Sequence, residues 1–384
     1  LTKTIAEGIN ELTSRADVQL VTRYCSGLGS SSDHVSSAVM ASVAGMTARL
    51  RYTRDELLRD HEDVEPHVVA GIRLHGGLTS DGRYQPPRAL VREPALGAWE
   101  AALIARGGRP LDADASLLGG VRMPTVEQSR VLLRHGLGET FWNTLTITGK
   151  IEAKGRLLAE MPIPDLQPYI VDDISQMAIG HLHRGLLYAH GIDEGGVPAE
   201  GIGGHDAMWF VARDLVFGAG AYPDVEPPET ISRPEAGRRF VNEVEPLVEG
   251  MVSLLANLLI IEFRAEIGFA ATQEILRSPD LFVDCRADAE LAAEVVERIR
   301  LDEEIHVRSL RLYLGEMASV QFRTLDGGEL PGSELIGRFW NGLVQWATDE
   351  QPRLAAAQQR EIIEARIARH ASAAEVHAQF AAAA

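Results

Sequence analysis

Residues 291–314 read LAAEVVERIRLDEEIHVRSLRLYL. At 100° per residue, Ala292, Val296, Ile299, Leu310 and Leu314 fall within about 40° of Glu303, and His306 lies about 60° to one side. Glu294, Glu297, Arg298 and Arg308 collect on the opposite face. A carboxylate and an imidazole three residues apart therefore stand in the middle of an apolar stripe. Burying an unpaired carboxylate costs several kcal/mol, so something must compensate it, and a metal cation is one answer. The i, i+3 spacing puts both side chains on one helix face.

The preceding helical segment, about Glu243–Arg277, repeats the anomaly. Glu266 shares a face with Val248, Val252, Leu255, Leu259 and Ala270, and Glu262 lies about 40° away. Upstream, a helix expected over Glu127–Met161 aligns Glu152 with Phe141, Leu145, Thr148 and Ala159, and Pro162 and Pro164 stop it. Glu139 falls off that stripe. A second helix, about Pro168–His190, places His181 beside Ile170, Ile174, Met177 and Tyr188, while His183 and His190 point away. A shorter helix follows over His205–Phe217, with His205-Asp206 read as its cap. The fourth long helix spans about Ala287–Met317, and a final amphipathic helix with an Ala-rich tail closes the chain.

Strand signals are sparse, so the fold class is all-α: a four-helix bundle joined as two hairpins with a long crossover, carrying additional N-terminal and C-terminal helices. Residues 126–320 form the bundle. Residues 1–125 form a helical and loop-rich extension, with two or three helices up to residue 75 and a Gly/Pro/Arg-rich connector after it. Residues 321–384 form the C-terminal helix and tail.

The chain has 384 residues with 37 Lys+Arg against 55 Asp+Glu, a net charge of −18. That field repels phosphate backbones and argues against nucleic-acid binding. Cys25 and Cys285 form no disulfide framework, the first residues carry no apolar signal core, and the longest apolar run, Met251–Ile261, is too short to span a bilayer. A cytoplasmic location is expected.

Glu303 and His306, with single carboxylates on other helices, resemble the ligand set of the ferritin-like carboxylate-bridged di-iron proteins, which use one Glu from each of two helices and a Glu-x-x-His from each of the other two. The p-aminobenzoate N-oxygenase branch is similar, with a Glu and, about thirty residues on, Asp-Glu-x-x-His, used twice. Glu266, thirty-five intervening residues and Asp302-Glu303-Glu304-Ile305-His306 match one copy. The other copy departs from the pattern: Ala178 stands three residues before His181, where a bridging Glu belongs. The resemblance implies a ferritin-like bundle with Glu152, His181, Glu266, Glu303 and His306 as metal ligands, and Glu262 or Asp173 substituting for the absent Glu. It further implies iron, two ions, with manganese the alternative; a small organic substrate and O2; and an electron donor. Apart from the resemblance, a homodimer is the expected assembly and no membrane partner is expected. The competing reading is a metal-free bundle that binds a ligand or works as a cofactor-independent isomerase or cyclase.

Overall fold

The computed structural model describes residues 50–119, 122–228, 232–233 and 239–384. The helices expected before residue 50, and Cys25, lie outside them. Helix accounts for 63% and strand for 8% of the structure. In chain order the elements are α1 (Arg54–Leu57), β1 (Glu65–Val69), β2 (Ile72–Leu78), β3 (Tyr84–Gln85), α2 (Ala89–Ala105), α3 (Val126–Arg134), α4 (Glu139–Gly155), α5 (Leu157–Glu160), α6 (Leu186–Gly195) and α7 (His205–Phe217). They continue with α8 (Pro246–Leu276), α9 (Arg286–Ala318), β4 (Gln321–Arg323), β5 (Glu329–Pro331), α10 (Gly332–Gln345), α11 (Gln351–Ile367) and α12 (Ala373–Ala382).

The longest pair, α8 and α9, runs antiparallel: Gln273 Nε2 donates to the Ala293 carbonyl near one end, and Glu262 approaches His306 further along. Pro246 opens α8 within its first turn, where its missing N–H costs nothing. Between Leu247 and Ile260 every residue of α8 is buried. Among the described residues it is the one helix long and apolar enough to cross a membrane, but 89% of its apolar window is covered by the rest of the protein, as in a core helix. Helix α7 packs against both α4 and α9, and α6 packs on α4 and α5.

Two apolar cores flank a polar layer. One contains α8 up to Phe263 and α9 from Ile305 onward. The other contains α8 from Phe269 and α9 back to Ile299, together with Phe141, Leu145 and Trp209. Glu262, Asp302 and Glu303 fall in the gap between them, all buried.

The structure departs from expectation in three places. Residues 65–78 form an antiparallel β1–β2 pair, with β3 on the far edge of β2, rather than helix. The expected helix one is three pieces. Thr125 and Gln128 cap α3 reciprocally, Gly136 at φ +74° ends it, and the axis breaks again at Arg156. The expected helix two is mostly not helical. Asp173 Oδ1 accepts from the Ser175 N–H, Gln167 bonds to Asp172 and Ile174, and a short 3₁₀ turn over Ala178–Arg184 ends at Gly185, φ +135°. Short polar side chains here capture backbone groups that a helix would need. Only Leu186–Gly195 is α-helical.

Candidate metal centre

The polar layer gathers carboxylates and imidazoles from five elements. Glu152 comes from α4, His190, Asp193 and Glu194 from α6, His205 from the first residue of α7, Glu262 from α8, and Asp302, Glu303 and His306 from α9. All are buried.

The side-chain atoms converge on two points. Around the first, His306 Nδ1 lies 2.8 Å from Glu303 Oε2, 3.2 Å from Glu194 Oε1 and 4.0 Å from Glu262 Oε1. His190 Nε2 is 3.0 Å from Glu262 Oε1 and 3.3 Å from Glu194 Oε1. Around the second, His205 Nδ1 lies 3.0 Å from Glu303 Oε1, 3.6 Å from Glu194 Oε2 and 3.9 Å from Glu152 Oε2. Glu194 and Glu303 thus each offer one oxygen to either point. Two sets follow: His190, Glu194, Glu262 and His306; and Glu194, His205, Glu303 and His306. Within each set the ligand atoms lie within 4.8 Å of one another. Either set could hold a metal ion.

Several of these atoms approach without hydrogen bonding. His190 Nε2, His205 Nδ1 and Glu303 Oε1 are buried and lack a hydrogen-bond partner, although each is within ion-pair distance of another group. Lone pairs aimed at a shared point rather than at each other are what a cation requires. Four glutamates carry four negative charges, which two divalent ions neutralise.

The histidines are held from behind by the aspartates. His306 Nε2 sits 3.1 Å from Asp193 Oδ2, and His205 Nε2 sits 3.2 Å from Asp302 Oδ2. Each Asp precedes a central Glu and supports the imidazole of the other half, leaving Nδ1 to face the centre. Such a backing carboxylate fixes the tautomer and orientation of a metal-binding imidazole. Asp193 is held in turn by Arg88 and by Arg92, whose Nη2 lies 2.6 Å away. Asp302 Oδ2 also accepts from the Tyr84 hydroxyl at 2.9 Å and contacts His75 Nε2 at 3.0 Å.

Without an ion, protons do the compensating. Burial and the neighbouring Glu194 push the Glu152 carboxyl well above the usual range, and burial with Glu303 does the same to Glu262. Burial opposes charge on His205 and His306, but Glu303 and the other facing carboxylates outweigh it and hold both imidazoles well above their ordinary value. Glu303, although burial and Glu194 resist its ionisation, is drawn down to about 2 by His306 and His205.

Of the residues singled out in the sequence, Glu152, Glu262, Glu303 and His306 are brought together here. Glu266 is exposed. Because α8 is buried on every side for most of its length, its apolar stripe does not distinguish the face toward α9 from the others. His181 is elsewhere too. Its Nδ1 lies 2.7 Å from the Met177 carbonyl, its Nε2 accepts from the Tyr52 N–H, and its ring packs 4.9 Å from Trp99. The projection that aligned His181 with Tyr188 ran through Gly185, where no continuous helix exists, and the same error turned His190 outward. Asp173 caps a turn instead of entering the site.

Glu194 is not among the residues singled out, and His205, read as a helix cap, is instead the first residue of α7 after the N-cap Gly204 and turns into the site; yet the sequence carries the signal of both. Glu152 and Glu262 stand 110 positions apart, Asp193-Glu194 and Asp302-Glu303 stand 109 apart, and the two histidines 101, eight fewer. The second half is therefore Asp-Glu-x-x-His with eight residues inserted before the histidine. The structure shows how they are accommodated. Gly196 and Gly204 meet at the end of α6, and Val197 and Ile202 exchange backbone hydrogen bonds across the excursion. A Cβ on Gly204 would collide with Gly196 and with the Asp193 and Glu194 carbonyls. His205 thus resumes the chain about one turn beyond Glu194. The same excursion docks β2: the His75 N–H donates to the Gly203 carbonyl at 2.8 Å, which sets His75 against Asp302. Gly204→Ala is expected to displace His205 and lower metal content by about one equivalent per chain, measured by elemental analysis.

No protein-family model matches the chain, and neither the curated proteins nor the solved structures yield a match.

A cavity of about 460 Å³ opens beside the centre, with Glu152 in its wall and Thr148, Ile151, Ile261, Phe269 and Trp346 around it. Its size suits an organic ligand. On the other side a smaller cavity of about 170 Å³ reaches His75 and Arg88.

Proposed function

We propose that this protein is a non-haem di-iron oxygenase or oxidase with a ferritin-like bundle, using O2 to oxidise a small organic substrate held in the 460 Å³ cavity. The observation that carries the reading is the paired convergence: Glu194 and Glu303 each span both points, and an Asp-backed histidine presents Nδ1 to each. Carboxylate and imidazole donors suit iron or manganese, and iron supplies the redox chemistry toward O2. Glu262, His190 and His306 would hold one ion, Glu152 and His205 the other, with Glu194 and Glu303 shared.

The chain's own contribution is positional. Asp193 and Asp302 fix the two imidazoles, the apolar cores on either side exclude water, and the cavity sets the substrate beside Glu152. Anaerobic reduction of iron-loaded protein followed by mixing with O2 tests the reading. Uptake of about one O2 per two ferrous ions supports it, and iron that is absent or inert to O2 ends it.

Proton sharing among the carboxylates favours a second reading, a metal-free bundle that binds a ligand or performs acid–base isomerisation or cyclisation. The pH dependence of stability separates the two. His205, His306, Glu152 and Glu262 all hold protons more tightly in the metal-free fold than in the unfolded chain. Their protonation therefore favours the fold at low pH, and that advantage declines as pH rises through the elevated values. His67, His75 and His190, whose pKa burial lowers, act the opposite way only up to the ordinary imidazole range, so the melting temperature of metal-free protein should fall above about pH 8. Iron or manganese, which displaces those protons, should raise it most at the alkaline end. A melting temperature that ignores both ions at every pH favours the metal-free reading.

A further inference from the structure

Arg122 lines the large cavity beside the candidate centre and also a second cavity of about 210 Å³, the two sharing Thr144 and Thr148 in their walls. Its Nη1 reaches the Ile267 and Gly268 carbonyls on α8, at 3.4 and 3.3 Å. Neutral carbonyls in mid-helix, already engaged by their own turn, offer a guanidinium poor compensation. Among the described residues Arg122 makes no ion pair, and burial alone holds its pKa below the ordinary value. Glu350, at the same cavity, is exposed and does not pair with it. Glu152, at the centre's end of the same cavity, faces His205 at 3.9 Å and does not pair with Arg122. A half-buried cation with no paired protein anion, facing a cavity that Ile151, Ile261, Phe269, Trp346 and Leu354 make largely apolar and that a second arginine, Arg264, also lines, is a receptor for an anion from solution.

We propose that the cavity binds an elongated, mainly apolar molecule bearing a single carboxylate, the carboxylate on Arg122 and the apolar body extending along α8 toward Glu152. As a statement about the substrate this rests on the oxygenase reading; as a statement about binding it stands without it. Gly268 lies six residues beyond Glu262, about 9 Å along the helix axis. The acid group is thus anchored well away from the carboxylate cluster, which presents a carbon remote from the acid to the centre. The apolar walls at Ile151, Ile261 and Phe269 give that body its burial.

Calorimetric titration of metal-free protein tests the binding independently of any iron chemistry. The probes are decanoate, methyl decanoate and 1-decanol, titrated into wild type, Arg122→Gln and Arg122→Lys. Decanoate is expected to bind at least about tenfold more tightly than its ester or alcohol. Arg122→Gln should abolish that preference while leaving ester binding within about twofold, and Arg122→Lys should keep part of it. Equal affinity for acid and ester in wild type overturns the proposal, as does a preference that survives in Arg122→Gln, or no binding of any probe. Should Arg122→Gln fail to fold, the wild-type comparison and Arg122→Lys decide. If decanoate binds as expected while the protein takes up no iron, the oxygenase reading fails and the binding site stands.

Discussion

Alanine at Glu194 should strip the centre of both ions. Its two oxygens face different points, Oε1 toward His306 and His190 and Oε2 toward His205, so the truncation removes one ligand from each and leaves three imidazoles facing reduced sets. Wild-type protein loaded with ferrous iron and desalted is expected to keep about two equivalents, and Glu194→Ala less than about 0.2. Glu303→Ala should match it, since Glu303 Oε1 and Oε2 divide in the same way. Glu152→Ala is the informative contrast. Of the site's histidines Glu152 approaches His205, so about one equivalent should remain, on the His190 side. Equal loss in Glu152→Ala and Glu194→Ala would remove the distinction between shared and one-sided carboxylates.

The largest effect on stability is expected at Asp193. Its carboxylate is fully buried, and although burial opposes its charge, Arg88 and Arg92 hold it well below the usual carboxylate range. Asp193→Ala leaves two buried guanidiniums and the His306 imidazole without their shared partner. Breaking a buried ion pair from one side costs roughly 3–5 kcal/mol, because the surviving charge has lost its compensation. Urea unfolding of the metal-free protein should show a loss of that size with an unchanged slope. An exposed pair such as Arg83–Asp81 gives the control, where solvent screening leaves little stability to lose. A variant at Asp193 that is no weaker than this control would mean that the arginines find other partners.

What the sequence made legible follows from where helical periodicity held. Along α9 the register is unbroken for 33 residues, and the projection placed Glu303 and His306 correctly between the apolar cores. Along α4 it held well enough for Glu152. In α8 the period survives but carries no direction, because a helix apolar all round gives no contrast between faces, so it points to exposed Glu266 as readily as to buried Glu262. Between Pro168 and Gly185 periodicity had no physical basis. Side-chain bonds to the backbone and Gly185 broke the helix, so every angle computed across it was meaningless, His181 and His190 included. His205 was hidden for a different reason. The eight-residue excursion restores the chain to the α6 terminus, and only spacing compared between the two halves, with the insertion removed, reveals Asp193-Glu194 and His205 as the partners of Asp302-Glu303 and His306. The β1–β2 pair was missed because its strands are short and its outer positions polar, so the alternation of Glu65–Val69 is faint.

The central claim is that two ions share Glu194 and Glu303. An anomalous difference map from crystals of iron-loaded protein, collected at the iron edge, tests it most directly. Two peaks about 3.5–4 Å apart are predicted, one beside His190 and Glu262 and the other beside His205 and Glu152, both within reach of Glu194 and Glu303. A single peak, peaks outside this layer, or none after loading would contradict the account.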